Sequence, residues 1–117
     1  LMQNLCIAYQ DILKKHKLYA TSTTGQMIED VANLKIHKLL AGHFGGMQQM
    51  GSKISNNEID LLIFLQDPAN KKRTPDFYNV LNLCDQYNIP CATNLPTAEV
   101  LILALDRGDL DWRNMYK

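Results

Sequence analysis

The sequence has no surplus of either charge. Lys and Arg number 12 and Asp and Glu number 12, giving a formal net charge of zero. That balance excludes a surface that gathers partners by bulk charge, so neither nucleic acid nor an anionic membrane is expected to bind. Long hydrophobic runs are also missing. The longest, Ile59 to Leu65, is broken by Asp60 and falls far short of the roughly 20 residues a membrane-spanning helix needs. Cysteine is scarce, and Cys6, Cys84 and Cys91 are too far apart to form a CxxC pair. A zinc site is therefore not expected, and the residues read as free thiols of a reducing compartment. With no signal-peptide pattern, the expected location is cytoplasmic. There is no GxGxxG segment, no Walker A loop, no internal repeat and no low-complexity stretch.

What is present is an alternation of helical and extended patterns in 117 residues, enough for one domain spanning 1–117. Leu1, Leu5, Ala8, Tyr9, Ile12 and Leu13 recur at steps of three and four, which predicts an amphipathic helix. Lys14, Lys15, His16 and Lys17 supply the positive charge that suits its end. Leu18 to Thr21 reads as a short strand, Thr23-Thr24-Gly25 as a capped turn, and the region near Met27 to Val31 as a helix. Leu34 to Leu40 is a second strand candidate. A glycine-rich loop, 41–46, follows, and then a helix with Met47, Met50 and Ile54 on one face. Ile59 to Leu65 has the near-continuous apolar character of a strand buried on both faces. Phe77, Val80, Leu81 and Cys84 share a helix face behind Thr74-Pro75, Ile89 to Thr93 is a fourth strand, and Thr97 to Asp106 is a helix ended by Gly108. The tail from Asp109 to Lys117 reads as peripheral.

Strands alternating with helices imply an α/β fold: a three-layer α/β/α arrangement with a mostly parallel, Rossmann-like sheet. Because a leading helix normally connects from an earlier strand, a first strand is expected upstream of Leu1. In such sheets ligands gather beyond the carboxyl ends of the strands. That rule singles out Thr21-Ser22-Thr23-Thr24-Gly25, Ala41-Gly42-His43, Gln66-Asp67-Pro68 and Thr93-Asn94. Four hydroxyls before a glycine and a helix start suit a phosphate, although the same segment also reads as an ordinary helix cap. Asp67 reads as a base or as a turn residue, and Asp76 as a helix-end carboxylate. Lys71-Lys72-Arg73 reads as a solvated loop or an anion lure, while Met47 and Met50 read as core filler.

These segments resemble a known family. Leu18 to Gly25 is similar to its "ATGTTG" segment and Leu40 to Gly51 to its "SGPxGGDQQxG" segment. Ile59 to Pro68 is similar to "IDxLIFFWDP", Pro75-Asp76 to the end of "PHDPD", and Asn88 to Asn94 to "NIPxATN". The tail Arg107 to Asn114 is also like the family's. On these residues the chain resembles methylglyoxal synthases. The resemblance implies a lyase that converts dihydroxyacetone phosphate to methylglyoxal and inorganic phosphate through an enediolate. It implies no metal or organic cofactor, a homohexamer, and phosphate as product or inhibitor. Carried over, Thr21, Ser22, Thr23, Thr24, Ala41 and Gly42 bind the phosphate, and Asp67 and Asp76 are supporting carboxylates.

Two departures bear on catalysis. The family's aspartate in "GGDQQ" corresponds to Met47, whose thioether cannot take a proton from carbon, and the histidine before "DPD" has no clean counterpart. The family's opening "HDxxK" strand would lie before Leu1. The alternative reading is therefore a catalytically impaired domain of the same family that binds phosphate or an effector in a regulatory role.

Overall fold

The expected alternation is present in the structure, a computed structural model that describes residues 2–40, 45–65 and 75–116. The chain divides into two compact units, 1–50 and 51–117, with the division falling inside a helix.

In the first unit the opening periodicity gives two helices rather than one, α1 (Met2–Ala8) and α2 (Gln10–Leu13). They are separated by Tyr9, whose φ of −113° and ψ of 25° leave the helical region. Strand β1 (Leu18–Thr21) leads directly into α3 (Ser22–Val31), and β2 (Ile36–Leu39) follows. The two strands pair in parallel, Leu18 opposite Ile36 and Thr21 opposite Leu39. Leu5, Cys6, Ile28, Leu34 and Ile36 are buried here. Helix α3 thus begins five residues earlier than its apolar pattern suggested. The expected turn at Thr23-Thr24-Gly25 is the first turn of the helix itself. The first turn carries only serine, threonine and glycine, so apolar periodicity could not register it.

Glu29 fastens α3 to β2. Its carboxylate lies 2.5 Å from the Lys38 ammonium and accepts the Ile36 N–H at 3.1 Å. The bond from Lys38, and after it the Ile36 amide, hold the Glu29 carboxyl below its ordinary value of 4.5. A depressed carboxyl stabilises the fold above its unfolded-state pKa, and that contribution is lost as pH falls through the folded-state value. Glu29→Gln is therefore expected to lower the urea midpoint at pH 7. Its difference from the parent should shrink as pH drops below 4.5. A difference that stayed constant down to pH ~3 would exclude this role.

The second unit contains the second half of α4 (Gly46–Ser55), then β3 (Leu62–Ile63), α5 (Pro75–Gln86), β4 (Cys91–Ala92), α6 (Leu95–Asp106) and a closing 3-10 helix, Asp111–Tyr116. Strands β3 and β4 pair in parallel. The Leu62 N–H reaches the Pro90 carbonyl at 3.0 Å and the Phe64 N–H reaches the Ala92 carbonyl at 2.8 Å. Pro90, which lacks an N–H, thus contributes only its acceptor at the strand's entry. Phe77, Val80, Cys84, Ala92, Ala98 and Ile102 are almost wholly buried, and Phe64 meets Phe77 edge to face at 5.2 Å. The Ile59–Leu65 run forms a strand only over two residues, with Ile59 and Leu62 buried and residues 60, 61 and 63–65 half-buried. The doubly buried strand expected there is corrected to a short one paired with β4.

Helices α4, α5 and α6 end alike. Asn57, Asn88 and Gly108 sit at φ of 58°, 56° and 84°, the left-handed region that asparagine and glycine tolerate best. In each case the following N–H reaches back across the turn: Glu58 to Lys53, Ile89 to Cys84 and Asp109 to Ala104, at 2.9–3.0 Å. These bonds satisfy carbonyls that a helix end leaves orphaned. The tail is exposed or half-buried over its described residues except at Arg113, which is only 4% exposed, contrary to expectation. Its guanidinium donates to Asp60 Oδ1 at 3.3 Å, Asn57 Oδ1 at 3.0 Å, the Ile59 carbonyl at 3.3 Å and, most closely, the Asn88 carbonyl. One side chain thus joins the turns after α4 and α5 to the segment after α6. The sequence pattern hid this, because an arginine in a mixed tail reads as solvated. Arg113→Met removes all these donors and leaves the buried Ile59 carbonyl and three part-buried acceptors without them, so it should cost about 2–4 kcal/mol. Urea unfolding would register this as a lower midpoint with an unchanged slope, and a loss below ~0.5 kcal/mol would mean the bonds carry little net stability.

Candidate active site

The hydroxyl segment occupies the carboxyl end of β1. Thr21 is the residue capping α3, with extended backbone (φ −61°, ψ 155°), and Ser22, Thr23 and Thr24 form the first turn. The Thr21 side chain makes no capping bond to the backbone, and its Oγ1 lies 3.5 Å from Thr24 Oγ1. Helix α6 differs: Asn94 Oδ1 accepts the Thr97 N–H at 3.1 Å and the Thr97 hydroxyl at 2.8 Å. The start of α3 therefore presents first-turn amides without a side-chain cap, four hydroxyls, and the positive end of a helix dipole. Such a set suits an oxyanion. Thr23 is exposed, and Thr21, Ser22 and Thr24 are half-buried.

Gly25 makes this turn possible. A Cβ there would fall 2.9 Å from Lys38 Cγ and 3.1 Å from Ile36 Cγ2, so β2 packs directly against the first turn of α3. Lys38 cannot yield freely, because its ammonium is paired with Glu29. Gly25→Ala gains helix propensity but overpacks this contact, and a net loss of about 1 kcal/mol is expected in chemical unfolding. A net gain would show that the strand can move aside.

Met47 is the second residue of α4 and is half-buried. Met50, one turn on, is buried, as expected of core filler. Asp76 lies in the first turn of α5 behind Pro75, half-buried, where the helix dipole favours a carboxylate. The structure thus groups Thr21 to Thr24 in the first unit, which also carries Met47, while Asp76 belongs to the second. Ala41, Gly42, His43, Asp67 and Lys71 to Arg73 lie outside the described residues. His16 and His37 are exposed, as expected, with the His37 ring 5.4 Å from that of Tyr19.

The second unit carries two further features. The Cys84 and Cys91 thiols are hydrogen-bonded to each other. That bond, followed by burial, pushes Cys84 up, and the same bond holds Cys91 below the ordinary thiol value. A cleft of about 630 Å³ is lined by Asn56, Asn57, Tyr87, Asn88, Trp112 and Arg113 among others. It opens beside the turns that enter β3 and β4, the opposite end of those strands from the expected rim. Its one cation, Arg113, is committed to the turns it joins. Among the described residues no group of three His, Cys, Asp or Glu could hold a metal ion. Nor is any described helix long and apolar enough to cross a membrane.

Residues 2–93 match the family described as the MGS-like domain. The chain is 53% identical over 116 residues to a methylglyoxal synthase of Caldicellulosiruptor saccharolyticus, covering 98% of this chain and 82% of that protein. It is 50% identical over 117 residues to the methylglyoxal synthase of Clostridioides difficile, covering 99% and 85%. The chain belongs to the methylglyoxal synthase family. A crystal structure of methylglyoxal synthase from Elizabethkingia anophelis is similar to it with a TM-score of 0.75 and 33% identity. That likeness covers 85% of this chain and 66% of the other. The α/β, Rossmann-like class read from the sequence is therefore the methylglyoxal synthase fold, and both described strand pairs are parallel. The family match spans the hydroxyl segment, Met47 and Asp76 alike.

Proposed function

We propose that this chain carries the site at which a methylglyoxal synthase holds dihydroxyacetone phosphate and lets its phosphate go. The observation that carries the proposal is the start of α3. There, first-turn amides without a side-chain cap and the hydroxyl residues Thr21, Ser22, Thr23 and Thr24 follow one another at the end of a parallel strand. Ala41 and Gly42 complete the phosphate contacts in this reading, with Gly42 offering its N–H where the family has a serine-glycine pair.

In the reaction, a carboxylate base removes a proton from the hydroxyl-bearing carbon and leaves an enediolate. The electrons of the enediolate then expel inorganic phosphate by breaking the carbon–oxygen bond, and the released enol tautomerises to methylglyoxal. Atoms balance without any cofactor or metal. Helix-end amides and hydroxyls around the phosphate favour its departure, because they meet charge that grows on the leaving group.

The base is the weak point. Position 47, in the first turn of α4, is where the family's aspartate falls, and Met47 has no proton acceptor of use. Asp67 and Asp76 are the other carboxylates that the family resemblance carries over. The chain as it stands is accordingly read as weak or inactive in turnover while competent in binding phosphate. We read residues 1–117 as one domain of the family, since the family match crosses both units. A homohexamer inhibited by phosphate, working in the cytoplasm, belongs to the same reading. The relatives described above are named as synthases, and no observation favours the regulatory alternative.

Phosphate release from dihydroxyacetone phosphate, followed side by side in the parent and in Met47→Asp, tests this. The variant is expected to exceed the parent by ~10²–10⁴ in kcat, the usual worth of a positioned base. Equal turnover in both would move the base to Asp67 or Asp76. Silence in both would reject the catalytic reading.

A further inference from the structure

Position 47 can matter to chemistry only if the first turn of α4 is held in place against the end of the sheet that carries the phosphate segment. One side-chain hydrogen bond provides that hold, from a residue whose own amide is fixed in the helix. The Leu40 N–H, one residue beyond β2, donates to Gln49 Oε1 at 2.6 Å. The Gln49 N–H donates to the Gly45 carbonyl at 3.0 Å, just ahead of the helix. Gly45 has a φ of 99°, and a Cβ on it would lie 3.9 Å from Leu40 Cδ1, so the end of β2 and the entrance to α4 are within contact distance. On the other side Leu39 is the register partner of Thr21, where the hydroxyl segment starts. The path from Thr21 to Leu39, Leu40, Gln49 and position 47 is continuous and lies wholly within the first unit.

We infer that Gln49 is the positioning residue that sets position 47 relative to the phosphate segment, an inference that rests on the function proposed above. Among the described residues, Gln49 is the side chain that bridges the end of β2 to the first turn of α4. The bond has no helix-forming purpose: a glutamine on the exposed side of a first turn, its amide already serving the ladder, spends its side chain on a strand-end amide that α4 itself does not need. Leu40 is 52% exposed, so its N–H could otherwise bond to water at little cost. The bond therefore adds placement more than stability. Displacements of about 1 Å between reacting groups cost on the order of 10²-fold in rate.

Two substitutions separate placement from folding. Gln49→Met keeps the length of the side chain and removes the acceptor, whereas Gln49→Glu keeps an acceptor. In the otherwise unaltered chain, amide exchange at Leu40 should be at least about tenfold faster in Gln49→Met and close to the parent in Gln49→Glu, while the amides within α4 stay protected in both. In a Met47→Asp background, Gln49→Met should lower kcat for phosphate release by ~10–100-fold with KM and the affinity for inorganic phosphate within about threefold. Gln49→Glu should recover most of that loss. Unchanged Leu40 exchange in Gln49→Met would overturn the inference, as would a rise in KM with kcat intact. Full turnover by Met47→Asp with Gln49→Met also turning over normally would overturn this inference alone. A silent Met47→Asp would overturn it together with the function on which it rests.

Discussion

A guanidinium withdrawn from water is costly unless its N–H groups find acceptors, and Arg113 finds four by drawing together turns that are far apart in sequence. The arrangement depends on how the preceding helices end. Asn57 and Asn88 enter left-handed backbone, which turns the chain sharply out of α4 and α5 and directs the Ile59 and Asn88 carbonyls toward one point. Placement of β3 and β4, and with them the parallel pair of the second unit, follows from those turns. An arginine is well matched to the task because its planar fork donates in several fixed directions at once, which a lysine's ammonium does not.

The first unit is organised on a different scale, by close approach rather than by a buried charge. Gly25 lets β2 press on the first turn of α3, and Glu29 closes the same contact from the next turn through Lys38 and the Ile36 amide. The consequence is that the end of β1 and the start of α3 are tightly packed against β2 where the hydroxyl segment lies. Rigid donors matter for a leaving group, since they cost no rearrangement at the moment charge develops.

How much of this the sequence disclosed varied with the kind of signal. Elements with a strong period or a cap are legible: β1 is Leu18 to Thr21, the face of Phe77, Val80, Leu81 and Cys84 is buried except at Leu81, which is half-buried, and Gly108 ends α6. The parallel α/β class followed from the alternation. The hydroxyl segment was legible as a candidate because residue types alone suggest it, but not the fact that it forms the first turn of α3, since an uncapped helix start leaves no mark on an apolar pattern. Arg113 was missed for a related reason. Its partners are backbone carbonyls and side chains about 25–56 residues away, and no local pattern encodes a contact of that range. Gln49 was equally silent, being one of two adjacent glutamines whose difference is which way each faces.

The open first turn of α3 also has a bearing on selectivity. Amides and hydroxyls at a helix start sense the charge and the tetrahedral shape of an oxyanion, not the carbon skeleton behind it. A receptor of that kind treats a phosphate ester, free phosphate and sulfate as near-equals. Under the function proposed above, discrimination among phosphorylated three-carbon compounds falls to the groups that meet the carbons, and the buffer anion chosen for an assay becomes a competitor in its own right.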